Sequence, residues 1–367
     1  MHFDSESFRR VPFHFWSAVF FVLGCLWGSF LNVCIYRMPR NESVVHPPSH
    51  CPHCQYAIPW FLNIPLVTWV ALRGRCRNCR TPISIRYLLV EFLTGTAFLA
   101  CWLSFGRQSP AMALVYCVVL AGFIVATFID FEHFIIPDEI TIGGVAAGVV
   151  CSLLVPALHG ETSIAGAMKE SFIGAVTGAA IIYAILRAGK LAFGKHKIVL
   201  APGSRIIFTE TAVQLPEHDE IPYDELFYRK SDKVTLEAKT VELPDICYFN
   251  TRVSLGPVEL KIGDLVLNPE TVPHMEVVTD ELSMPREAMG FGDVKFMAAI
   301  GAFLGWKAVI FSLMLSSMIG AAVGLTLIAL KKQEWSSRLP YGPYIALAAT
   351  IWMFAGPQVV SLLFPMH

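Results

Sequence analysis

Long apolar stretches constrain this chain more than any other feature of its sequence. A membrane-spanning helix needs about 20 predominantly apolar residues, and the 367-residue chain is 54% hydrophobic and only 16% charged. Eight stretches fit, six clearly and two (164–186 and 294–304) more weakly. They lie at 13–36, 87–105, 111–129, 140–158, 164–186, 294–304, 308–330 and 341–364. The sequence therefore predicts an all-α polytopic membrane protein with about eight transmembrane helices.

Three polar segments interrupt the apolar stretches and define the predicted organisation. Residues 37–86 form a basic loop with four cysteines, and 190–287 form an insert whose short alternating runs and Pro/Gly turns predict a small β-rich domain. The predicted boundaries are 1–36 for the first span, 37–86 for the loop, 87–189 for spans two to five, 190–287 for the insert and 288–367 for spans six to eight.

The distribution of charge predicts an orientation in the membrane. Seven arginines lie in the loop 37–86, and loops rich in Lys and Arg stay on the cytoplasmic side. Alternating from there places the insert and the short loop after residue 330 on the same side, with both termini outside. The net charge of −1 argues against nucleic acid as a partner and leaves membrane lipid as the surrounding phase.

Two cysteine pairs in the loop predict a metal site. Cys51 and Cys54 are followed, after 21 residues, by Cys76 and Cys79. Two such knuckles supply four thiolates to a tetrahedral Zn²⁺, and a closed four-ligand shell makes the metal structural. Disulfides or a redox pair are the rival interpretations, both disfavoured in a reducing cytoplasm. A nearby histidine such as His53 replacing one thiolate remains an alternative.

Two aspartates at the ends of apolar stretches are the candidate catalytic residues. Asp130 ends the third stretch, and Asp293 begins the sixth within Gly290-Phe-Gly-Asp293. The predicted topology places both at the cytoplasmic ends of helices, at similar depth. Two close carboxylates in a partly desolvated site share one proton, so one of them can activate water while the other donates a proton. Each acid taken alone would more simply cap a helix end.

Two other acids have structural interpretations. Asp138 follows Pro137 and precedes the fourth stretch, which favours a helix N-cap. Glu91 lies five residues into the second stretch, and we expect it to pair with an arginine of the loop.

With these residues in place, the sequence resembles the prepilin peptidase family, the type IV leader peptidases of pilus and type II secretion systems. The resemblance is carried by an ordered series of motifs across most of the chain outside the insert. The series is Gly28-Ser-Phe-Leu-Asn-Val33, Tyr36-Arg-Met-Pro39, Cys51-Pro-His-Cys54, Asn63-Ile-Pro65, Leu72-Arg-Gly-Arg-Cys76, Ile83-Ser-Ile-Arg-Tyr87, Ile129-Asp130, Pro137-Asp138, Gly290-Phe-Gly-Asp293-Val-Lys295 and Leu339-Pro-Tyr-Gly-Pro343.

The resemblance implies a GxGD aspartyl protease of the bacterial inner membrane, with an active site facing the cytoplasm. Its catalytic pair matches Asp130 and Asp293, and its substrates are type IV prepilin or type II secretion pseudopilin precursors. Many family members also N-methylate the new amino terminus from S-adenosylmethionine, and the matching cofactor-binding positions here are Gly74 and Arg75.

The sequence differs from the family pattern at two points, and three other functions are alternatives to this interpretation. The family usually has an acid at the position of Leu62, and the insert separates the two aspartates further than is typical. The alternatives are a peptidase without methyltransferase activity, a non-catalytic relative whose zinc loop is a scaffold, and an ion-coupled transporter. A transporter would require further polar residues deep in several spans, and these are nearly absent.

Overall fold

A computed structural model of the chain describes residues 12–193, 195–209, 211–216, 221–223, 227, 233–244, 246–269, 272, 274–285, 290–330 and 339–363. The chain divides into two compact units. A helical unit comprises Met1–Tyr183 and Gly290–His367, and a second unit comprises Ala184–Met289. Lys331 and Lys332, in the short loop after residue 330 that was predicted to be cytoplasmic, lie outside the described residues.

Eight α-helices are present among the described residues. They are α1 Phe13–Arg37, α2 Val67–Ala71, α3 Ile85–Phe105, α4 Pro110–His133, α5 Asp138–Leu154, α6 Ile164–Phe193, α7 Phe291–Ala329 and α8 Gly342–Leu363. Serine residues cap the N-termini of two helices. Ser84 caps α3 by accepting from the Arg86 N–H at 3.2 Å, and Ser109 caps α4 by accepting from the Met112 N–H at 3.2 Å.

Five of these helices are long and apolar enough to cross a membrane: α1, α3, α4, α6 and α7. The prediction of a mostly helical polytopic protein is confirmed to that extent. Helix α5 is shorter than predicted because it stops at Leu154 before Pro156, where a 3₁₀ turn follows. The two stretches at 294–304 and 308–330 are continuous in α7 and are separated only by non-helical backbone at Gly305 (φ 80°, ψ 172°).

Glycines allow several helices to approach each other at backbone distance. A Cβ built on Gly174 of α6 would lie 2.1 Å from the carbonyl oxygen of Gly301 in α7, and one on Gly301 would lie 2.0 Å from the Gly174 oxygen. Gly24 of α1 meets the backbone of α3 in the same way. Close small-residue crossings of this kind are a principal source of helix association in membranes, where the hydrophobic effect contributes little.

This packing makes Gly174→Ala a destabilising substitution. The new methyl group collides with backbone that cannot rotate away, so we expect a loss of about 1–3 kcal/mol in unfolding free energy. Thermal unfolding in detergent would show it as a lower midpoint. Gly143→Ala on α5 is the matched control, since nothing lies within 4 Å of its added Cβ and alanine favours helix by about 1 kcal/mol. An unchanged midpoint in Gly174→Ala would contradict the Gly174–Gly301 crossing.

The second unit contains an antiparallel eight-stranded sheet, so the predicted β-rich character of the insert is confirmed. Its strands are β1 Lys195–Thr209, β2 Ala212–Gln214, β3 Ile221–Pro222, β4 Val234–Glu242, β5 Cys247–Leu255, β6 Leu260–Ile262, β7 Leu265–Leu267 and β8 His274–Pro285. They are arranged in the order β3-β2-β1-β8-β4-β5-β6-β7. Buried aliphatic side chains such as Ile206, Val241 and Leu282 form its core.

The first and last strands of the sheet are neighbours. Strand β1 pairs with β8 from Lys195 opposite Pro285 to Thr209 opposite His274. The chain therefore enters and leaves the sheet at adjacent positions. An inserted domain whose two ends are adjacent needs only short connections to the rest of the chain.

Candidate active site and metal centre

The helical unit buries the two candidate aspartates. Asp130 lies in the last turn of α4 and is 5% exposed, whereas Asp293 lies in the first turn of α7 and is 8% exposed. Carboxylates are rarely buried to this degree without a specific role or partner. The burial of both side chains therefore argues against the alternative that each aspartate is only a solvated helix cap.

Asp130 is fixed by the backbone at the start of α8. The Gly342 N–H donates to Asp130 Oδ2 at 2.8 Å. A Cβ at residue 342 would lie 2.8 Å from the same oxygen and 3.1 Å from the Ile136 side chain. Only glycine therefore lets this N–H approach the carboxylate.

Asp293 lies close to the same group of residues. A Cβ on Gly292 would lie 3.5 Å from the Ile136 side chain, so Ile136 packs beside both Gly292 and Gly342. Phe123 of α4 also meets Phe296 of α7 edge-on, with ring centroids 5.6 Å apart. The structure thus brings together the two acids singled out from the sequence.

Two ion pairs flank this centre. Lys295 pairs with Asp138 at the start of α5. Asp138 lies in the first turn of α5 and Pro137 is the N-cap residue, so the prediction of Asp138 as the N-cap is wrong. Arg86 donates to both carboxylate oxygens of Glu132 at 2.5 and 2.6 Å. The Arg86–Glu132 pair therefore connects the C-terminal end of the cysteine loop to α4, the helix that carries Asp130.

An apolar groove of about 260 Å³ runs along the helices that carry the two acids. Phe296 lies three residues after Asp293, Val125 lies five residues before Asp130, and Glu139 is the one acidic residue among the described residues of the lining. Two of its glycines leave space: nothing lies within 4 Å of a Cβ built on Gly143, and only Ile140 comes as close as 4.0 Å to one on Gly122. The groove therefore has room for apolar side chains from outside.

The four predicted metal ligands converge in space. The Sγ atoms of Cys51, Cys54, Cys76 and Cys79 all lie within 4.8 Å of one another, with Cys51–Cys79 at 3.7 Å and Cys54–Cys76 at 4.0 Å. Tetrahedral Zn–S bonds of about 2.3 Å require sulfur separations of about 3.8 Å. The cluster is thus suited to a single metal ion.

The two knuckles have the same backbone design. Cys51 N–H donates to the Tyr56 carbonyl at 3.0 Å, and Cys76 N–H donates to the Thr81 carbonyl at 2.9 Å. Hydrogen bonds from Thr81 lower the pKa of the Cys79 thiol to about 6, whereas burial raises the pKa of Cys51 to about 11. One exposed thiol (Cys79), one half-buried thiol (Cys54) and two buried thiols (Cys51 and Cys76) therefore share one cluster.

Buried polar side chains hold the loop against the helices. Arg37 donates to the carbonyls of Ser43 (2.9 Å) and Pro47 (2.7 Å). Glu91 Oε2 accepts from the Leu66 N–H at 2.8 Å, so the expectation that Glu91 pairs with an arginine is wrong. The reason is that Leu66 adopts a left-handed backbone at the start of α2 and directs its N–H toward α3.

Gly74 has a structural function in the same loop. Its φ is +64°, and a Cβ there would lie 2.8 Å from the Trp69 ring. Its N–H donates to the Trp69 carbonyl at 2.9 Å, and its carbonyl accepts from the Ile83 N–H at 2.7 Å. Both backbone groups of Gly74 are therefore used within the loop, while the neighbouring Arg75 is exposed.

Gly342 is the site residue to which sequence reasoning assigned no role. The motif Leu339-Pro-Tyr-Gly-Pro343 contributed to the resemblance, but its contact with Asp130 spans 212 residues of sequence. A glycine placed immediately before a proline at the start of a helix was the available signal, because glycine permits a close backbone approach.

Fold and site together define a polytopic helical membrane protein with a paired-aspartate centre and a four-cysteine loop. The family model described as Bacterial Peptidase A24 N-terminal domain matches residues 22–105, and the Type IV leader peptidase family model matches residues 117–213 and 275–325. The chain belongs to the type IV leader peptidase family.

Curated relatives support this assignment along nearly the whole chain. A "Prepilin leader peptidase/N-methyltransferase" of Aeromonas hydrophila is 28% identical over 379 residues, covering 96% of this chain and 95% of the relative. Proteins of the same name from Myxococcus xanthus and Pectobacterium carotovorum are 49% identical over 136 residues (36% and 39% covered) and 26% identical over 375 residues (95% and 97% covered). No solved structure matches the chain.

Proposed function

We propose that this protein is a prepilin peptidase that cleaves the leader from type IV prepilin or pseudopilin precursors at the cytoplasmic face of the bacterial inner membrane. The observation that carries the proposal is the placement of two buried aspartates, Asp130 and Asp293, beside the same residue, Ile136, at the ends of two apolar helices. The family membership and the names of the relatives agree with it.

The proposed chemistry is that of an aspartyl protease. The two carboxyl groups share one proton, so the ionised group takes a proton from water as the water attacks the scissile carbonyl, and the protonated group donates toward the carbonyl oxygen. The Gly342 N–H holds one oxygen of Asp130 in place at 2.8 Å. The other oxygen of Asp130 is left to act with Asp293 on the water.

The proposed topology has eight crossings with both termini outside. Helix α7 has 39 residues, about 58 Å at 1.5 Å per residue, which is nearly twice the hydrocarbon thickness of about 30 Å. The break at Gly305 supports its division into two crossings. Helices α5 and α8 complete the eight, and the second unit and the cysteine loop face the cytoplasm.

In this arrangement the apolar groove receives side chains from the hydrophobic segment of the precursor. Its walls are formed by α1, α4, α5 and α7, and the parts on α4 and α7 begin within two turns of Asp130 and Asp293. A helix resting there presents the residues at its cytoplasmic end to the aspartate pair. Glu139 at the groove adds a negative charge for a basic leader.

Filling the groove tests this placement. We expect Gly143→Leu to reduce cleavage of a full precursor about tenfold, since a loss of about 1.4 kcal/mol of binding has that effect. Cleavage of a short soluble peptide spanning the junction stays unchanged, because it does not enter the groove. Ala146→Leu, exposed on the same helix outside the groove, is the matched control. Equal losses with both substrates would contradict the role of the groove.

We propose zinc as the metal of the cysteine cluster, with Cys51, Cys54, Cys76 and Cys79 as its ligands and a structural role. Four sulfur ligands leave no open position for substrate. Methylation of the new amino terminus from S-adenosylmethionine is proposed from the names of the relatives. Arg75 is the candidate side chain for that cofactor, and Gly74 contributes through the turn that positions Arg75.

Mass analysis of the product tests both activities. Membranes carrying the protein are mixed with a type IV prepilin, and the new amino terminus is measured with and without S-adenosylmethionine. We expect removal of the leader in both samples and the added mass of one methyl group in the second. A cleaved but unmethylated product in both would identify a peptidase without methyltransferase activity, and an uncleaved precursor would overturn the proposed function.

A further inference from the structure

The cysteine loop exposes apolar side chains that metal binding and peptide cleavage do not explain. Phe61, Ile64, Val67 and Val70 recur at every third residue and are 46%, 44%, 62% and 61% exposed. They lie in and around the 3₁₀ turn Trp60–Leu62 and helix α2. An exposed apolar ridge of this size on a charge-rich loop indicates an interaction surface.

The hydrogen bond between the loop and α3 fixes the position of these four residues along the axis of α3. Glu91 lies six residues after the first residue of α3 and accepts from the Leu66 N–H at 2.8 Å. Six residues of helix correspond to about 9 Å, and the side chain points back toward the helix start by part of that distance. Leu66 therefore lies beside the first turns of a membrane-spanning helix, level with Leu89, which is itself exposed.

Charge borders the ridge on its C-terminal side. Arg73, Arg75, Arg77 and Arg80 follow α2 within nine residues, and all four are exposed. Guanidinium groups bind phosphate oxygens well, often through two hydrogen bonds. Apolar side chains next to a basic fringe, at the level where a spanning helix begins, are typical of an element that lies in the headgroup layer of a bilayer.

We propose that residues 60–72 form a membrane-surface element of the cysteine loop. Phe61, Ile64, Val67 and Val70 enter the lipid at the cytoplasmic boundary, and Arg73, Arg77 and Arg80 bind the phosphates of anionic lipid. The loop thereby rests on the membrane, with its metal cluster held close to the surface.

Fluorescence quenching in vesicles tests the proposal without any readout of cleavage. The full protein is reconstituted in phosphatidylethanolamine and phosphatidylglycerol, with a fluorescent amino acid in place of Val67. Quenching is measured with a nitroxide carried on lipid and with iodide in water. The same residue replacing Leu89 of α3 gives the reference for lipid, and replacing Val258, exposed in the second unit, gives the reference for water.

We expect the probe at position 67 to be quenched in the same way as the probe at position 89. Quenching by the lipid-borne nitroxide should be about threefold stronger at position 67 than at position 258. In vesicles without anionic lipid, the lipid-borne quenching at 67 should decrease because the arginines lose their partners. Quenching by iodide equal to that at 258 would overturn the proposal. Protection from both quenchers would also overturn it, because a protein surface would then cover the ridge.

Discussion

Replacing Asp130 or Asp293 with asparagine is expected to slow precursor cleavage by at least about 10³-fold while the protein remains folded. Asparagine keeps the shape of the side chain but can neither take a proton from water nor donate an acidic one, and proton transfer of this kind contributes about 10²–10⁴-fold. Rates would be measured in membranes by appearance of the processed product, with expression and thermal midpoint as checks on folding.

The double variant sharpens this prediction. If the two carboxyl groups act as one unit, Asp130→Asn with Asp293→Asn should be no slower than either single variant. Asp138→Asn is the matched control, because this acid is more exposed and pairs with Lys295, and loss of such a surface pair costs about 1 kcal/mol or less. Near-normal cleavage by Asp130→Asn would rule out the proposed pair.

The second large effect is expected from loss of the metal. Cys51→Ser should reduce the zinc content from about one atom per chain to none and unfold the loop, because structural zinc contributes about 10–16 kcal/mol in small zinc domains. Metal content would be measured on purified protein, and unfolding by the rate of proteolysis within residues 37–86. We expect treatment with a strong chelator to have the same effect on proteolysis.

Cys247→Ser provides the control for this experiment. This cysteine is exposed in the second unit and lies outside the four-sulfur cluster, so its loss should change neither zinc content nor proteolysis of the loop. A full complement of zinc in the Cys51→Ser protein would contradict a four-thiolate site. It would instead favour a histidine such as His53 as a ligand.

Sequence reasoning reached the helical architecture, the β-rich insert and the cysteine cluster because each depends on a local pattern. Apolar stretches, alternating runs and CxxC spacing are visible within short windows of sequence. The meeting of Asp130 with Asp293 could be anticipated only through topology, by placing both at the same ends of their helices. The sequence contained no direct measure of their distance.

The features that were missed depend on backbone conformation and packing between distant segments. Leu66 reaches Glu91 because of a left-handed backbone that its residue type does not signal. Gly342 approaches Asp130 across most of the chain, and the groove exists only once four helices are assembled around Gly122 and Gly143. Such contacts have no periodicity for a sequence pattern to reveal.

The pairing of the first and last strands of the sheet has an evolutionary consequence. Because Lys195 lies opposite Pro285, the chain returns to its starting point after the sheet, and the leader-peptidase family match is itself interrupted between residues 213 and 275. A domain with this connectivity can be gained, lost or exchanged in one recombination event without altering the order of the helices. Residues added between β1 and β8 therefore leave the helices that carry Asp130 and Asp293 unchanged.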